Sequence, residues 1–326
     1  MLRLILSSAI LLAPLSLAAQ VDDPSVPLPT EVRAAFDAVQ ADPEPEEITR
    51  GTHYWVSNED GHWVTRELIE NSGGVYLGVG SEQNYMIAGW SRPALMILLD
   101  FDQQIVNLHD AYGALLIASA TPEEFIARWD EDVEEEAVAI IRQAYSGEHA
   151  NAVAATLSQT INRCGRRFRR LRDRYNELGV PLFVNDQATY DFIRALWQNN
   201  RVITIRGDLT ASGAMLGLAN AASESGLTMR TMYFSNAEQY FDYGGQFNAN
   251  MVAQPFDDRS YVLHTRQYSG WLFVEEDDYH YALQPGPNFV AWLESGEADD
   301  FLSMARRARR VIRDGLSVLD RVPEEN

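Results

Sequence analysis

The sequence predicts an α/β fold with a mostly parallel sheet and helices on both faces. Short apolar runs ending at glycine or aspartate alternate with segments of helical periodicity. Within them, Leu95-Met96-Ile97-Leu98-Leu99 is continuously apolar, as a strand covered on both faces reads. Strands joined by helical crossovers imply parallel pairing and ligand sites beyond the carboxyl ends of the strands. At 326 residues and 46% apolar content, the chain supports one large core.

Arg3 precedes a nearly unbroken apolar run from Leu4 to Leu17, and Ser16-Leu17-Ala18-Ala19 offers small residues for cleavage. This is the form of a secretory signal peptide over residues 1–19, so the mature chain is expected to be exported, periplasmic or extracellular, with no stable membrane span after cleavage. Residues 20–50, rich in proline and acidic residues, read as a linker or extension with a short helix from Glu31 to Val39. Residues 51–326 read as a single α/β domain, in which 52–72, carrying Tyr54, Trp55 and Trp63, cover one edge of the core.

Val75-Tyr76-Leu77 is the first strand, running into Gly78-Val79-Gly80, with Ser81 expected to cap a helix reaching about Gly89. Leu95–Leu99 is the second strand, ending at Asp100, and a helix follows over 103–118. Thr121-Pro122-Glu123-Glu124 has the spacing of a capping box. Residues 130–178 read as a helical insertion, acidic at first and then arginine-rich from Arg163 to Arg174. Its arginines are expected to pair within the chain or face solvent, with an acidic partner chain as the other reading. Helix 187–198, strand 201–205 ending at Gly207-Asp208, helix 214–223 and a β-rich run from Leu227 to Phe234 continue the alternation. Later strands are expected at Tyr261–Leu263 and Trp271–Val274, and a terminal helix over Asp300–Leu319.

Charge and residue usage exclude several chemistries. Acidic residues outnumber basic ones by 47 to 26, and every basic residue is arginine. Lysine Schiff bases and a P-loop lysine are therefore excluded. A formal charge of -21 opposes nucleic acid as a partner. The single cysteine, Cys164, permits no internal disulfide and has no evident base beside it. The histidines lack metal-motif spacing, and no metal site is expected.

The remaining signals lie at strand ends. Glycines 78 and 80 let backbone N–H groups approach a ligand, or serve only a tight turn. Asp100, with Asp102 as the fallback, can accept both hydroxyl hydrogens of a ribose. Asp208 can orient substrate or water, or cap a helix. Ser235, Asn236, Glu238, Gln239 and Tyr240 offer hydrogen bonds in six residues, without the nucleophile elbow of a serine hydrolase. Tyr85, Trp90 and Tyr240 can stack on a flat ring or belong to the core.

At GVGSEQNY, strand-ending Asp100, RGDL and YFSNAEQY, the chain resembles an uncharacterised bacterial family of methyltransferase-like Rossmann-fold proteins, over roughly Val75–Asn250. The resemblance implies S-adenosylmethionine as the cofactor, held by Gly78, Gly80, Ser81, Glu82, Asn84, Tyr85 and Asp100. Asp208, Ser235 and Asn236 would lie at the reacting end, where a substrate nucleophile is aligned and desolvated. Gly207-Asp208-Leu209 stands where such folds often carry Asp/Asn-Pro-Pro-aromatic, which argues against an amine acceptor. An export signal sits awkwardly with a cytoplasmic cofactor, so the alternative is an exported, non-catalytic small-molecule-binding or interaction domain.

Overall fold

Side chains alternate along β1 (Val75–Val79), and that alternation sets up two cores. Val75, Leu77 and Val79 enter one core, and Tyr76 enters the other. β2 (Leu95–Asp100) does the same, with Leu95, Ile97 and Leu99 on one face and Met96 and Leu98 on the other. Both strands are buried throughout, which is why the second reads as an unbroken apolar run. Full burial of each such leucine or isoleucine contributes about 1.5–3 kcal/mol. The computed structural model describes Val21 and residues 23–324, so the leader expected over residues 1–19 lies outside the described residues.

The remaining strands are β3 (Val202–Arg206), β4 (Met229–Tyr233), β5 (Tyr261–Arg266), β6 (His280–Pro285), β7 (Arg309–Arg313) and β8 (Leu316–Leu319). They form one sheet in the order β3-β2-β1-β4-β5-β6-β8-β7. Strands β1 to β5 are parallel to their neighbours, β6 runs antiparallel to β5, β8 is parallel to β6, and β7 is antiparallel to β8. The expected α/β fold with a mostly parallel sheet is present, with a mixed far end.

Helices cover both faces. Gln83–Ser91, Gln103–Ala118, Gly147–Leu178 and Gln187–Gln198 bury residues in the core that contains Tyr76. Thr30–Asp37, Ala214–Glu224, Gly245–Val252, Gly286–Ser295 and Phe301–Ala308 cover the other. Two helix starts follow from local chemistry. Thr121 Oγ1 accepts from the Glu124 N–H and caps Pro122–Ala127, while Glu124 reaches back to the Ala120 N–H rather than to Thr121. Asp186 caps Gln187–Gln198 by accepting from the Thr189 N–H.

Three expectations need correction. The segment 20–50 is docked: Leu28, Val32 and Phe36 are buried, and the Asp42 carboxylate accepts from the N–H groups of Asp208, Gly213 and Ala214. Asp300–Leu319 is a short helix followed by a β7–β8 hairpin, because Val311-Ile312 favour a strand and Asp314-Gly315, with Gly315 at φ 72°, makes a two-residue turn. Trp271–Val274 is a loop whose Trp271 plugs the second core while Leu272 faces solvent. The segment 52–72 does pack on the first core, through Trp55, Val64 and Ile69, and part of it also lines the cavity at the carboxyl ends of the strands.

The insertion is integral to the first core. The 32-residue helix Gly147–Leu178 buries Val153, Leu157, Ile161, Cys164, Phe168, Leu171 and Tyr175, a stripe at three- and four-residue steps. Burial pushes the Cys164 thiol up to about 12, so it is a packing residue at neutral pH. Among the described residues, no helix is long and apolar enough to cross a membrane.

Candidate functional site

The turn after β1 is held from behind by buried polar groups. Gly80 sits at φ 94°, where a side chain is strained. Its carbonyl accepts from His109 Nε2 at 2.8 Å, and His109 Nδ1 lies 3.2 Å from the Tyr85 hydroxyl. A carbonyl only accepts, so Nε2 carries the proton and Nδ1 accepts from Tyr85. Burial pushes His109 down to about 4, which keeps that neutral tautomer in place.

Asn84 completes the brace. Its amide donates to the carbonyls of Val79 and Ser81, and its Oδ1 accepts from the Tyr76 hydroxyl at 2.7 Å. Gly78 is needed because a Cβ there would strike Asn84 and Tyr76. Gly78, Glu82, Asn84 and Tyr85, expected on the ligand side, therefore work behind the turn: all four are buried, and the cavity is lined instead by Gly80, Ser81 and Gln83. Ser81 is not a helix cap either. The helix starts at Gln83, and the Ser81 hydroxyl donates to Glu82 at 2.8 Å.

Asp100 meets the turn directly, on the wall of the same cavity. It ends β2 one residue beyond the Val79↔Leu99 pair. Its carboxylate accepts from the Asp102 N–H at 2.9 Å. Burial nevertheless pushes Asp100 up to about 7, with partial offset from backbone N–H groups of Asp102, Gly80 and Phe101. Asp102, the fallback, lines the same cavity, but its carboxylate accepts from the Gln104 N–H as a helix cap and lies 2.6 Å from His53 Nδ1.

The third wall comes from the end of β4. Ser235 is a non-glycine residue at φ 54°, a costly backbone placement that occurs where surrounding contacts enforce it. Its hydroxyl donates to Glu59 Oε1 at 2.6 Å. Glu59 is fully buried and also accepts from the Tyr233 hydroxyl, with His62 Nε2 3.1 Å away. Asn236 donates to the Tyr279 hydroxyl at 2.9 Å. Glu238 turns inward to His264 and Tyr243 and leaves the cavity.

The cavity at these strand ends measures about 90 Å³, and Thr52, Tyr54, Ser57 and Asn58 close it from above. Glu59 and His62 support it from the same segment. Sequence reading missed all six, because their partners lie far along the chain; the only signal was a polar, aromatic-rich stretch just before the first strand. Asp208 is not on this cavity. It lies on an adjoining opening of about 250 Å³ and accepts from the N–H and hydroxyl of Thr210. The two spaces share Thr49, Val79, Phe101, Ala237 and Tyr240 as a partition.

The insertion locks this lid. Arg167, buried on the long helix, donates to Glu82 Oε1 at 2.6 Å, to Asp60, and to the Glu59 carbonyl at 2.9 Å. Glu82 in turn accepts from the Ser57 N–H at 3.0 Å. One guanidinium thus joins the lid to the glycine turn, a pairing within the chain as expected of these arginines, though its partners are Glu82 and Asp60 and not the upstream acidic run. The nearest such contact, Arg169 to Asp130, is 3.9 Å long. No curated protein matches the chain. The family model described as "Domain of unknown function (DUF7790)" matches residues 54–320, and the chain belongs to that family.

Proposed function

We propose that this chain is an exported, methyltransferase-like Rossmann protein whose crevice binds an adenosyl compound, S-adenosylmethionine or its demethylated product. The observation that carries the reading is the convergence of Gly80 and Asp100 on one cavity where the strand order reverses about β1 and β4. The donor set fits a nucleoside: a buried carboxylate acceptor at Asp100 for ribose hydroxyls, and polar groups at Ser81 and Gln83 beside it. Ligand pockets usually span about 300–1,000 Å³, so an adenosyl guest would occupy both openings and displace the half-exposed Tyr240 from their partition.

S-adenosylmethionine, when bound, supplies an electrophilic methyl group. The protein's part is to orient and to exclude water. Asp100 holds the guest in its ionised form, His109 keeps the Gly80 carbonyl turned back, and the Thr52–Asn58 segment covers the site. Ser235 spends its proton on Glu59, so its oxygen presents an acceptor to an O–H nucleophile. The alternative, a binding domain without turnover, draws support from the Asp208 carboxylate, which accepts from the N–H and hydroxyl of Thr210.

Calorimetry with S-adenosylmethionine, S-adenosylhomocysteine and adenosine tests the reading. Stoichiometric binding is expected, weakening about tenfold per pH unit below about 7 as Asp100 protonates. Asp100→Asn is expected to bind weakly and without that pH dependence. Absence of binding by all three compounds at pH 8 would refute the proposal, and binding without methyl transfer to any acceptor would leave the non-catalytic form of it.

A further inference from the structure

The opposite, amino-terminal end of the sheet carries a second polar basin of about 370 Å³, bounded by Gly73-Gly74 before β1, Arg92 before β2, and Thr228 and Arg230 at β4. Three guanidinium groups line it in a protein of net charge -21. Arg230 Nη1 and Arg259 Nη2 each lie 3.4 Å from the same acceptor, the Ser72 carbonyl. Two like charges therefore share one neutral oxygen. Arg230 has a carboxylate neighbour, Asp257 at 2.7 Å, yet its buried Nε has no partner. Among the described residues, neither Arg259 nor Arg92 makes an ion pair within 4.0 Å.

The backbone is shaped to keep this basin open. Arg92 ends its helix at φ 52°, where glycine or asparagine is the usual residue, and stacks its guanidinium 4.6 Å from the Phe192 ring. Gly73 and Gly74 sit at φ 69° and 60°; a Cβ on Gly74 would strike Arg230. Asp186 and Glu70 act on Arg92 through space without reaching hydrogen-bond distance. The arrangement has the chemistry of a receptor for a compact anion, since forked N–H donors match phosphate and carboxylate oxygens.

We propose that Arg92, Arg230 and Arg259 form a binding site for a small, multiply charged oxyanion, a phosphorylated or polycarboxylate molecule, separate from the crevice at the carboxyl ends. A five-residue strand places the two sites roughly 16 Å apart. The anion relieves the Arg230–Arg259 repulsion and takes the unused donors.

The test is calorimetry of the full chain with pyrophosphate and, separately, citrate, at about 0.15 M salt to suppress diffuse attraction. Saturable binding of at least one probe below about 1 mM is expected. Arg259→Gln removes an exposed guanidinium and its long contact with the Ser72 carbonyl, and is expected to weaken binding roughly tenfold or more, as is Arg92→Gln. Arg166→Gln, on the exposed face of the insertion, is expected to leave it unchanged. No saturable binding of either probe overturns the proposal. So do equal losses in Arg259→Gln and Arg166→Gln, or displacement of the probe by S-adenosylhomocysteine, which would put it in the other crevice.

Discussion

At the scale of residues, the site holds two buried titratable groups whose pH effects oppose each other. Asp100 is raised to about 7 in the fold against about 4 unfolded. Ionising it inside the protein costs stability: the penalty is absent below pH ~4, grows as pH rises, and is complete above ~7, at most about 4 kcal/mol. His109 is lowered to about 4 against about 6.5 unfolded. Its contribution is intact above pH ~6.5 and lost as pH falls to ~4, at most about 3 kcal/mol. Between these limits the two slopes nearly cancel. Urea unfolding is expected to show Asp100→Asn more stable than the parent at pH 8, level with it near pH 4, and newly acid-sensitive in between. His109→Gln, which can still donate to the Gly80 carbonyl, is expected to become more stable on mild acidification. Equal stability of parent and Asp100→Asn at pH 8 would mean that the carboxylate is not penalised by burial. Retaining such a group at the mouth of a cavity, where asparagine would stabilise, is what a ligand-binding carboxylate predicts.

At the scale of elements, the strands and helices that carry the glycine turn and Asp100 were legible because their signals are local. The helices Gln103–Ala118 and Gln187–Gln198 fall where periodicity puts them, and Asp100 ends its strand as read. The β7–β8 hairpin also had a local signal in Asp314-Gly315, which the surrounding arginines obscured. What no local pattern carries is the lid. Glu59 meets Ser235 across 176 positions, and Arg167 meets Glu82 across 85. Nor could spacing distinguish Asn84, which braces the turn from inside, from Gln83, one residue earlier and facing the cavity. The Arg167 contact makes the insertion a structural part of the site. Arg167→Met strands the Glu82 carboxylate in a dry interior and is expected to cost about 3–5 kcal/mol in urea unfolding. The double variant Arg167→Met/Glu82→Gln is expected to recover a large part of that loss, because the stranded charge is gone. Additive losses in the double variant would contradict a charge-pairing role. Hydrogen exchange should show the Ser57 N–H, now bonded to Glu82, losing protection in the single variant.

At the scale of the whole molecule, the excess of acid decides how the fold responds to salt. A chain of this length has a folded radius of gyration of roughly 20 Å. At 0.01 M ionic strength the screening length is about 30 Å, so most of the 47 carboxylates repel one another across the molecule; near 1 M it is about 3 Å, and that repulsion disappears. Salt also weakens favourable pairs, but exposed pairs such as Arg66–Glu70 and Arg33–Asp37 contribute about 0–1 kcal/mol each. The pair that matters most to the site, Arg167–Glu82, is buried and screened far less. Repulsion is the larger salt-sensitive quantity, so the thermal midpoint is expected to rise as sodium chloride increases from about 0.01 to 0.5 M. The same imbalance predicts no retention of duplex DNA at about 0.15 M salt, despite the exposed Arg163 and Arg166. A midpoint that falls with salt would reverse the ranking, making the surface ion pairs, rather than the buried Arg167 contact and the two cores, the dominant electrostatic support of the fold.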